Sequence, residues 1–356
     1  MLVGKDTETM LEYAKKYGDL SFSDFSPTEV DMAILAMIAY ASLKNTSLAE
    51  HPLCLNALAQ ELFDKIKQKI IKDQGLSEKS ALKILKVVYK RARYRDLLFS
   101  HFVDINRESM HFSAYTAHLP NHHDVIVFKG TGRMVDSWHE DLNMSVRFPV
   151  PAQKEAKKYL RARMRGMQQK ISVVGHSKGG NLAVVAAMWA PFWKRKRIQT
   201  VYSFDGPGLP EKYFQSRRFL RIKSHLKHLA PEDTVVSGML KTKQLTIVRS
   251  QKTGVAAHDM ISWQIQGKNF QRGARSEWSK RFERQLNDWL EKHPKEDRQR
   301  IIDLLFGTLK KMGIEDVLAL TKISNLARFA YNLTDADEEE KALLISFVKA
   351  CFTRRK

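Results

Sequence analysis

Apolar positions in the first ninety-odd residues recur at helical spacing. Ser26 offers an N-cap, followed by Pro27 in the first turn and an acid at Glu29, ahead of a long apolar run. A short amphipathic segment precedes this run, and two further stretches rich in Leu, Ile and Val follow it. The pattern predicts an all-helical N-terminal segment over residues 1–99 that packs on the core, with helices at 8–17, 30–43, 55–73 and 78–94.

From about Phe102 the pattern changes to short apolar runs rich in β-branched and aromatic residues, and each run predicts a strand. Helical stretches separate several of these runs. Strands that alternate with helices are typical of a largely parallel sheet covered on both faces. We therefore predict an α/β domain over residues 100–295, with strands at 111–119, 124–128, 171–174, 200–204, 225–229 and 245–248, and helices at 152–168, 180–190 and 210–220.

The remainder of the chain is helical and charged, with predicted helices at 295–312, 314–332 and 337–352. We assign residues 296–356 to a C-terminal helical segment. The first of these helices carries apolar residues three to four positions apart, a spacing typical of a stripe that faces a core. These residues are Ile301, Leu304, Leu305, Leu309 and Met312.

The composition supports a large buried core, because 43% of the 356 residues are hydrophobic. The two cysteines, Cys54 and Cys351, lie far apart in helical contexts, so neither a disulfide framework nor a zinc motif is expected and a cytoplasmic setting fits. The first twenty residues lack an apolar signal-peptide core. The longest apolar stretch, 32–43, is too short to span a bilayer, so we expect neither export nor a membrane span.

The formal net charge is +21, from 60 Lys and Arg against 39 Asp and Glu. This excess favours contact with an anionic partner, and we expect peripheral contact with an anionic membrane. The basic residues are dispersed along the chain, so a solvated surface without a dedicated partner is the alternative. A nucleic-acid partner is disfavoured because no known binding motif interleaves aromatic and basic residues.

A candidate nucleophile lies within 171–190, which is predicted to form a buried strand, a sharp turn and an Ala-rich helix. The turn holds Gly175-His176-Ser177-Lys178-Gly179, a G-x-S-x-G pattern. At a strand-to-helix turn this pattern forms a nucleophile elbow, which raises the serine hydroxyl at the carboxyl edge of the sheet. The helix that follows directs its N-terminal dipole at the same point. An ordinary Gly-rich turn is the alternative.

A serine hydroxyl becomes a useful nucleophile only when a base accepts its proton. Four histidines follow Ser177 in the sequence. His225 and His228 lie within a predicted strand, and His293 lies beyond the sheet. His258, in the loop after the last predicted strand, is therefore the candidate base.

The acid that would orient this histidine has several candidates. Asp205 follows the 200–204 strand, whereas Glu232 and Asp233 follow the next strand, and sequence order favours Asp233. The candidate oxyanion donors are the backbone N–H groups of Lys178 and Thr131. Thr131 follows the strand that ends at Phe128, and a tight hairpin turn is the alternative there.

Several motifs carry a resemblance to known families. Phe128-Lys129-Gly130-Thr131 and the segment 136–142 resemble the F-R-G-T and D-W-x-x-D-L motifs of the class 3 lipases of fungi and plants, and GHSKGG resembles their GHSLGG. The chain resembles more closely a bacterial family of uncharacterised α/β-hydrolase-like proteins over about 18–320. The matching stretches are 128–131, 138–144, 150–153, 175–187, 203–208 and 258–263.

The resemblance implies an α/β-hydrolase fold with a mostly parallel sheet and a hydrolase, but it implies no substrate. The candidate nucleophile, base and acid favour a serine hydrolase that cleaves a carboxylic ester or another acyl compound. The aspartate of the F-D-x-P-G turn belongs to that family's motif, which favours Asp205 over Asp233. Lys178 replaces an apolar residue of the lipases, so its side chain either selects an anionic substrate together with Lys129 and Arg133 or turns to solvent. No phosphate-binding Gly-rich loop occurs, and neither a cofactor nor a metal is expected. A non-catalytic module that binds an anionic ligand, a membrane or a protein is the alternative function.

Overall fold

The structure is a computed structural model that describes residues 8–71, 76–107, 110–132, 135–166, 169–314, 328–329, 332 and 337–352. Arg133 and nearly all of the helix predicted at 314–332 lie outside the described residues.

The described residues contain an eight-stranded sheet whose strands lie side by side in sequence order. Neighbouring strands pair in antiparallel orientation from β1 through β4 and in parallel orientation from β4 through β8. The six predicted strands correspond to β3 to β8, whereas β1 and β2 were not predicted. The strands are β1 (Leu53–Cys54), β2 (Leu98–Arg107), β3 (Met110–Leu119), β4 (His123–Phe128), β5 (Lys170–His176), β6 (Ile198–Phe204), β7 (Leu226–Pro231) and β8 (Leu245–Val248), with a separate hairpin of β9 (Ile265–Gln266) and β10 (Asn269–Phe270).

Helices surround the sheet. They are α1 (Met10–Tyr17), α2 (Glu29–Ile38), α3 (Leu55–Lys67), α4 (Leu76–Val88), α5 (Val135–Asn143), α6 (Pro151–Arg163), α7 (Lys178–Met188), α8 (Arg217–Leu220), α9 (Glu277–Lys292), α10 (Lys295–Lys311) and α11 (Glu338–Phe352). The predicted helix at 210–220 is wrong: the chain forms a 3-10 turn at Glu211–Tyr213 and then the short α8, which begins at a new N-cap, Ser216.

The order of the strands decides where the helices pack. Right-handed crossovers between successive parallel strands carry their helices to the same face of the sheet. Ile126 and Phe128 of β4 accordingly pack in one apolar cluster with residues of α6, α7 and α8, whereas Val125 and Val127 point to the opposite face. The apolar residues on the opposite face must therefore be buried by segments outside these crossovers.

Helix α2 covers this second face, and all of its residues are buried. Its cap is Thr28 rather than the predicted Ser26, because the Thr28 side chain accepts from the Asp31 N–H. The buried Asp31 carboxylate is compensated by bidentate hydrogen bonds from Arg93, 2.7 and 2.8 Å long. Just beyond its last residue, Tyr40 reaches the carboxyl edge of β5.

This arrangement confirms the predicted α/β-hydrolase fold with a mostly parallel sheet. Helices α9, α10 and α11 pack against one another in a further apolar cluster that includes Phe282, Leu286 and Ile301. Among the described residues, no helix is both long and apolar enough to cross a membrane.

Candidate active site

The turn between β5 and α7 holds Ser177 in a strained backbone conformation, with φ 57° and ψ −133°. Residues other than glycine rarely adopt a positive φ, and such strain is common at catalytic elbows. The Ser177 N–H donates to the Phe204 carbonyl of β6 at 2.9 Å, which fixes the turn to the neighbouring strand. A Cβ on Gly175 would lie only 2.1 Å from the Gly179 backbone. The small residues of the G-x-S-x-G pattern therefore permit this tight turn.

His258 and Asp205 meet at the same edge of the sheet. His258 ends a 3-10 turn at Gly254–His258, and its Nδ1 lies 2.7 Å from Asp205 Oδ2. The loop that carries His258 is held by Trp263, a fully buried residue whose Nε1 donates to the Ala257 carbonyl at 2.8 Å. Asp205 has a φ of 43°, and its N–H donates to the Leu229 carbonyl of β7.

The other carboxylate oxygen of Asp205 is fully occupied. It accepts from the Thr234 hydroxyl and, at 2.8 Å, from the Ser237 hydroxyl. Burial raises the pKa of this carboxyl, but the hydrogen bonds from His258, Thr234 and Ser237 and the charge of protonated His258 outweigh burial and bring the pKa below its usual value. Asp205 is thus held as a carboxylate that faces the His258 ring.

The alternative acids lie elsewhere in the same corner. Asp233 Oδ2 accepts from the Gly254 N–H at 2.9 Å, so this carboxylate holds the start of the His258 loop rather than the imidazole. Glu232 donates its backbone N–H to the Val248 carbonyl, and its side chain lies near Gly273. The structure therefore brings Asp205, and not Asp233 or Glu232, to His258.

The remaining candidate histidines have other partners. His228 is buried in β7, with its Nε2 3.0 Å from the Gly206 carbonyl, and burial lowers its pKa to about 4. His225 precedes β7 rather than lying within it and contacts the Gln199 carbonyl, while His293 contacts the Trp289 carbonyl.

Ser177 and His258 border the same region but do not hydrogen-bond to each other in the part of the chain that the structure describes. They are connected through His176, which directly precedes Ser177 and whose ring packs on the His258 ring at a centroid distance of 4.4 Å. A cavity of about 100 Å³ beside the two histidines is lined by His176, His258 and Asp259 among others. Catalytic hydrogen bonds are often long or unformed until the substrate binds.

His176 links the His258 loop to helix α2. Burial, together with the nearby charge of His258 when protonated, lowers the pKa of His176 to about 3, so its ring is neutral. Its Nε2 lies 2.9 Å from the His258 carbonyl, which can only accept, so the proton is on Nε2. Nδ1 is then an acceptor, and the Tyr40 hydroxyl donates a hydrogen bond to it at 2.9 Å. No sequence pattern predicts this Tyr40 contact.

The loop after β4 runs beside the elbow, since a Cβ on Gly130 would lie 3.0 Å from the Ser177 Cβ. The next residue, Thr131, donates its hydroxyl to the buried Asp141 carboxylate. Lys178 is the first residue of α7, a position whose N–H has no partner within the helix. The structure thus places the candidate oxyanion donor Thr131 in the loop beside the elbow, and the candidate donor Lys178 at the first position of α7, directly after Ser177.

The Lys178 side chain neither turns to solvent nor offers a free charge to an anionic substrate. It is buried, with its Nζ 2.9 Å from Glu140 Oε2 and 3.1 Å from the His111 carbonyl. Asp141 Oδ1 lies 3.8 Å from the same ammonium. The ion pair has a structural reason, because a buried lysine without a partner carries a large desolvation cost.

Asp141 is the least satisfied member of this buried group, since its Oδ1 has no hydrogen-bond partner. Burial raises its pKa to about 6, against the opposing effects of Lys178 and Thr131. The sequence placed Asp141 only in a motif shared with lipases and assigned it no contact.

An apolar cleft of about 300 Å³ begins beside this site. The end of the cleft nearest the candidate site is lined by Asp141, Pro207 and Val255. Asp141 accepts from the Thr131 hydroxyl, Pro207 lies two residues after Asp205, and Val255 also lines the smaller cavity beside His258. Val235, Met239 and Leu240, from the segment after β7, line another part of the cleft. Helices α5, α9, α10 and α11 provide most of the remaining wall, including Leu142, Phe282, Leu286, Trp289, Ile301 and Phe347.

The cleft offers few polar groups to a ligand. Arg298 lines it, but its guanidinium donates to the carbonyls of Ser145, Leu290 and His293 and is not free to bind an anion. In the described part of the chain, no group of three His, Cys, Asp or Glu side chains could hold a metal ion.

Comparison with solved structures gives lipases at low similarity. M37 lipase has 16% identity over 58% of this chain and 69% of its own, with a TM-score of 0.37. The Rhizomucor miehei lipase propeptide complex has 14% identity over 70% of this chain and 78% of its own, with a TM-score of 0.35. A fungal lipase–inhibitor complex has 14% identity over 65% of this chain and 84% of its own, with a TM-score of 0.34. These values are too low to carry an argument about activity.

A search of curated proteins returns no match to the sequence. The sequence profile of the Mbeg1-like family matches residues 88–307, which is more than half of the chain and includes every candidate site residue. The matched range is shorter than the 18–320 expected from the motifs and does not contain helix α2. The chain belongs to the Mbeg1-like family.

Proposed function

We propose that this protein is a serine hydrolase that cleaves carboxylic esters through Ser177, His258 and Asp205. The observation that carries the proposal is the 2.7 Å contact between Asp205 Oδ2 and His258 Nδ1, at the sheet edge where the strained elbow presents Ser177. An acid that is held ionised fixes the histidine tautomer with a proton on Nδ1. Nε2 is then free to accept the serine proton.

In the proposed reaction, Ser177 Oγ attacks the ester carbonyl carbon while its proton passes to His258 Nε2. The carbonyl oxygen becomes an oxyanion, for which the N–H groups of Thr131 and Lys178 are the candidate donors. Collapse of this intermediate breaks the bond to the alcohol oxygen, which takes the proton from His258. Water then attacks the acyl carbon of the acyl-enzyme while His258 takes a proton from it. The bond from the acyl carbon to Ser177 Oγ breaks, Oγ receives that proton from His258, and the carboxylic acid leaves.

The acyl group of the ester fits the apolar cleft. Its wall is almost entirely apolar, and Arg298 is already bonded to three carbonyls, so the cleft favours an uncharged hydrocarbon chain. With a volume of about 300 Å³, the cleft is large enough to hold a hydrocarbon chain of several carbons.

Labelling with a fluorophosphonate tests the proposal, because this probe reacts with an activated serine. We expect stoichiometric labelling of the wild type and of Ser224→Ala, which changes an exposed serine, and none of Ser177→Ala. A folded wild-type protein that remains unlabelled would contradict the proposal and would favour the non-catalytic binding module.

The acyl preference is tested with a series of p-nitrophenyl esters. Each methylene added inside the cleft should raise kcat/KM about fourfold, and the gain should stop at the chain length that fills the cleft. Leu286→Phe reduces the volume of the cleft and should move this limit to shorter chains. Leu344→Phe, in the same helix cluster but not in the cleft wall, is the control and should not move it. Hydrolysis without any dependence on chain length would reject the acyl assignment while leaving the hydrolase assignment intact.

A further inference from the structure

A surface far from Ser177 combines exposed aromatic and basic side chains. Phe192 and Trp193 are 70% and 69% exposed, and Leu220 of α8 is 53% exposed. Single exposed apolar residues are common, but two adjacent aromatic side chains this exposed are not. They occupy the connection between α7 and β6.

Basic residues surround these apolar side chains. The four residues after Trp193 are all basic, and α8 adds a second group, while neither 189–204 nor 212–231 contains an Asp or a Glu. The Arg195 and Arg221 guanidinium groups lie 5.9 and 5.4 Å from the Phe192 ring centroid, so the two segments form one surface. We call it the aromatic–basic patch, made of Phe192, Trp193, Lys196, Arg217, Arg218, Leu220 and Arg221.

The positive charge of the patch is not neutralised within the described part of the protein. Its exposed basic residues Lys196, Arg217, Arg218 and Arg221 form no ion pair with a described acidic residue. Burial, followed by the like charge of Arg221, brings the pKa of the neighbouring Arg195 below its usual value. The crowded positive charges favour an external anionic partner.

We propose that the aromatic–basic patch docks this protein on the surface of an anionic lipid bilayer. Basic side chains attract anionic headgroups, and tryptophan and phenylalanine insert at the boundary between headgroups and acyl chains. Aromatic and basic residues together could also contact a single-stranded nucleic acid by stacking. The exposed aliphatic side chain of Leu220 has no role in stacking but gains from burial in a bilayer, so the observations favour lipid.

The position of the patch sets the orientation of the docked protein. Ser177 follows the carboxyl end of β5, whereas Phe192 and Trp193 precede the amino end of β6, which is parallel to β5. The short α8 likewise precedes the amino end of β7. Docking through the patch therefore directs the candidate active site away from the bilayer, toward a substrate that arrives from water.

Co-sedimentation with vesicles tests the docking. We expect binding to phosphatidylcholine vesicles that contain phosphatidylserine, weak binding to pure phosphatidylcholine, and a strong decrease as salt is raised. Each basic residue at the surface contributes a factor of about five. Removing three charges should therefore weaken binding about a hundredfold in the variant Arg217→Gln, Arg218→Gln, Arg221→Gln.

A control variant loses the same charge elsewhere. Lys83, Lys86 and Lys90 are exposed and lie on or just after α4, far in sequence from the patch. The variant Lys83→Gln, Lys86→Gln, Lys90→Gln should keep most of the wild-type binding. Equal losses in the two triple variants would mean that net charge alone drives binding, and the proposal would be wrong.

Two further measurements complete the test. The double variant Phe192→Ala, Trp193→Ala keeps the charge and should bind anionic vesicles about a hundredfold more weakly, because each buried aromatic side chain contributes a factor of about ten. Binding of wild type to a fluorescent single-stranded oligonucleotide, with none to anionic vesicles, would overturn the proposal in favour of nucleic acid. Circular dichroism and thermal unfolding verify that each variant is folded, independently of any hydrolase activity.

Discussion

Replacing Asp205 by asparagine exchanges one carboxylate oxygen for an amide nitrogen and keeps the shape of the side chain. The Ser237 backbone N–H, 3.3 Å from Oδ1, can only donate, and the Thr234 and Ser237 hydroxyls also donate to this atom. The amide of the variant should therefore keep its oxygen at this position and direct its NH2 group at His258. The imidazole would then accept at Nδ1 and carry its proton on Nε2.

This tautomer cannot accept the Ser177 proton, so the loss should fall on kcat rather than on binding. An asparagine at the equivalent position of a serine triad lowers kcat about 10⁴-fold, or roughly 5 kcal/mol of transition-state stabilisation. Asp233→Asn provides the comparison, because either side chain can accept from the Gly254 N–H. We expect Asp233→Asn to retain at least a tenth of the wild-type kcat.

Steady-state hydrolysis of a p-nitrophenyl ester, measured on both variants at equal folded concentration, separates the two acids. The acid assignment would be refuted by a folded Asp205→Asn variant with more than a tenth of wild-type kcat, or by a larger loss in Asp233→Asn than in Asp205→Asn. Either result would show that the contact between Asp205 and His258 does not set the histidine tautomer during turnover.

Three further predictions concern the buried groups around the site. Lys178→Met leaves the Glu140 carboxylate buried without its cation and should lower the free energy of unfolding in urea by about 3–5 kcal/mol. The double variant Lys178→Met, Glu140→Gln should recover part of this loss, because it also removes the unpaired carboxylate. Tyr40→Phe removes the donor to His176 Nδ1 and should cost about 1–3 kcal/mol by the same measurement, with a lower kcat because the His258 loop loses a support. Burial raises the pKa of Asp141 from 3.8 to about 6, so the folded protein holds this proton more tightly than the unfolded chain does. The free energy of unfolding should therefore fall as the pH rises from about 4 to 6. Asp141→Asn should remove about 3 kcal/mol of this fall, measured by unfolding at pH 4 and pH 7; an unchanged pH dependence would contradict the raised pKa.

The parallel strands of the central sheet were predicted well because successive side chains point to opposite faces and both faces are apolar. In β4, Val125 and Val127 face one layer and Ile126 and Phe128 face the other, and both layers are apolar. Parallel strands covered on both faces have this composition. Strand β2 was harder to predict: its pairing with β3 shifts register between Ser100 and Val103, and its outer residues are partly exposed.

The acid and the lysine show the limit of prediction at the site. Asp205 and Asp233 end neighbouring parallel strands, so both were expected at one edge, and only the backbone turn at Asp205, with its positive φ, decides which carboxylate meets His258. Lys178 beside a candidate nucleophile suggests a charge offered to the substrate. Its partner Glu140 lies 38 residues away, and no local pattern connects the two.

Helix α2 also limits where the chain can be shortened. The family profile begins at residue 88, and a fragment cut there would contain the whole parallel sheet but not the helix that covers one of its faces. Val125, Val127 and Val174 would then lie on a bare apolar surface, and Tyr40 would no longer support His176. Such a surface promotes aggregation. Attempts to express a shortened protein that still folds should therefore begin ahead of Thr28, even though the family boundary suggests a start sixty residues later.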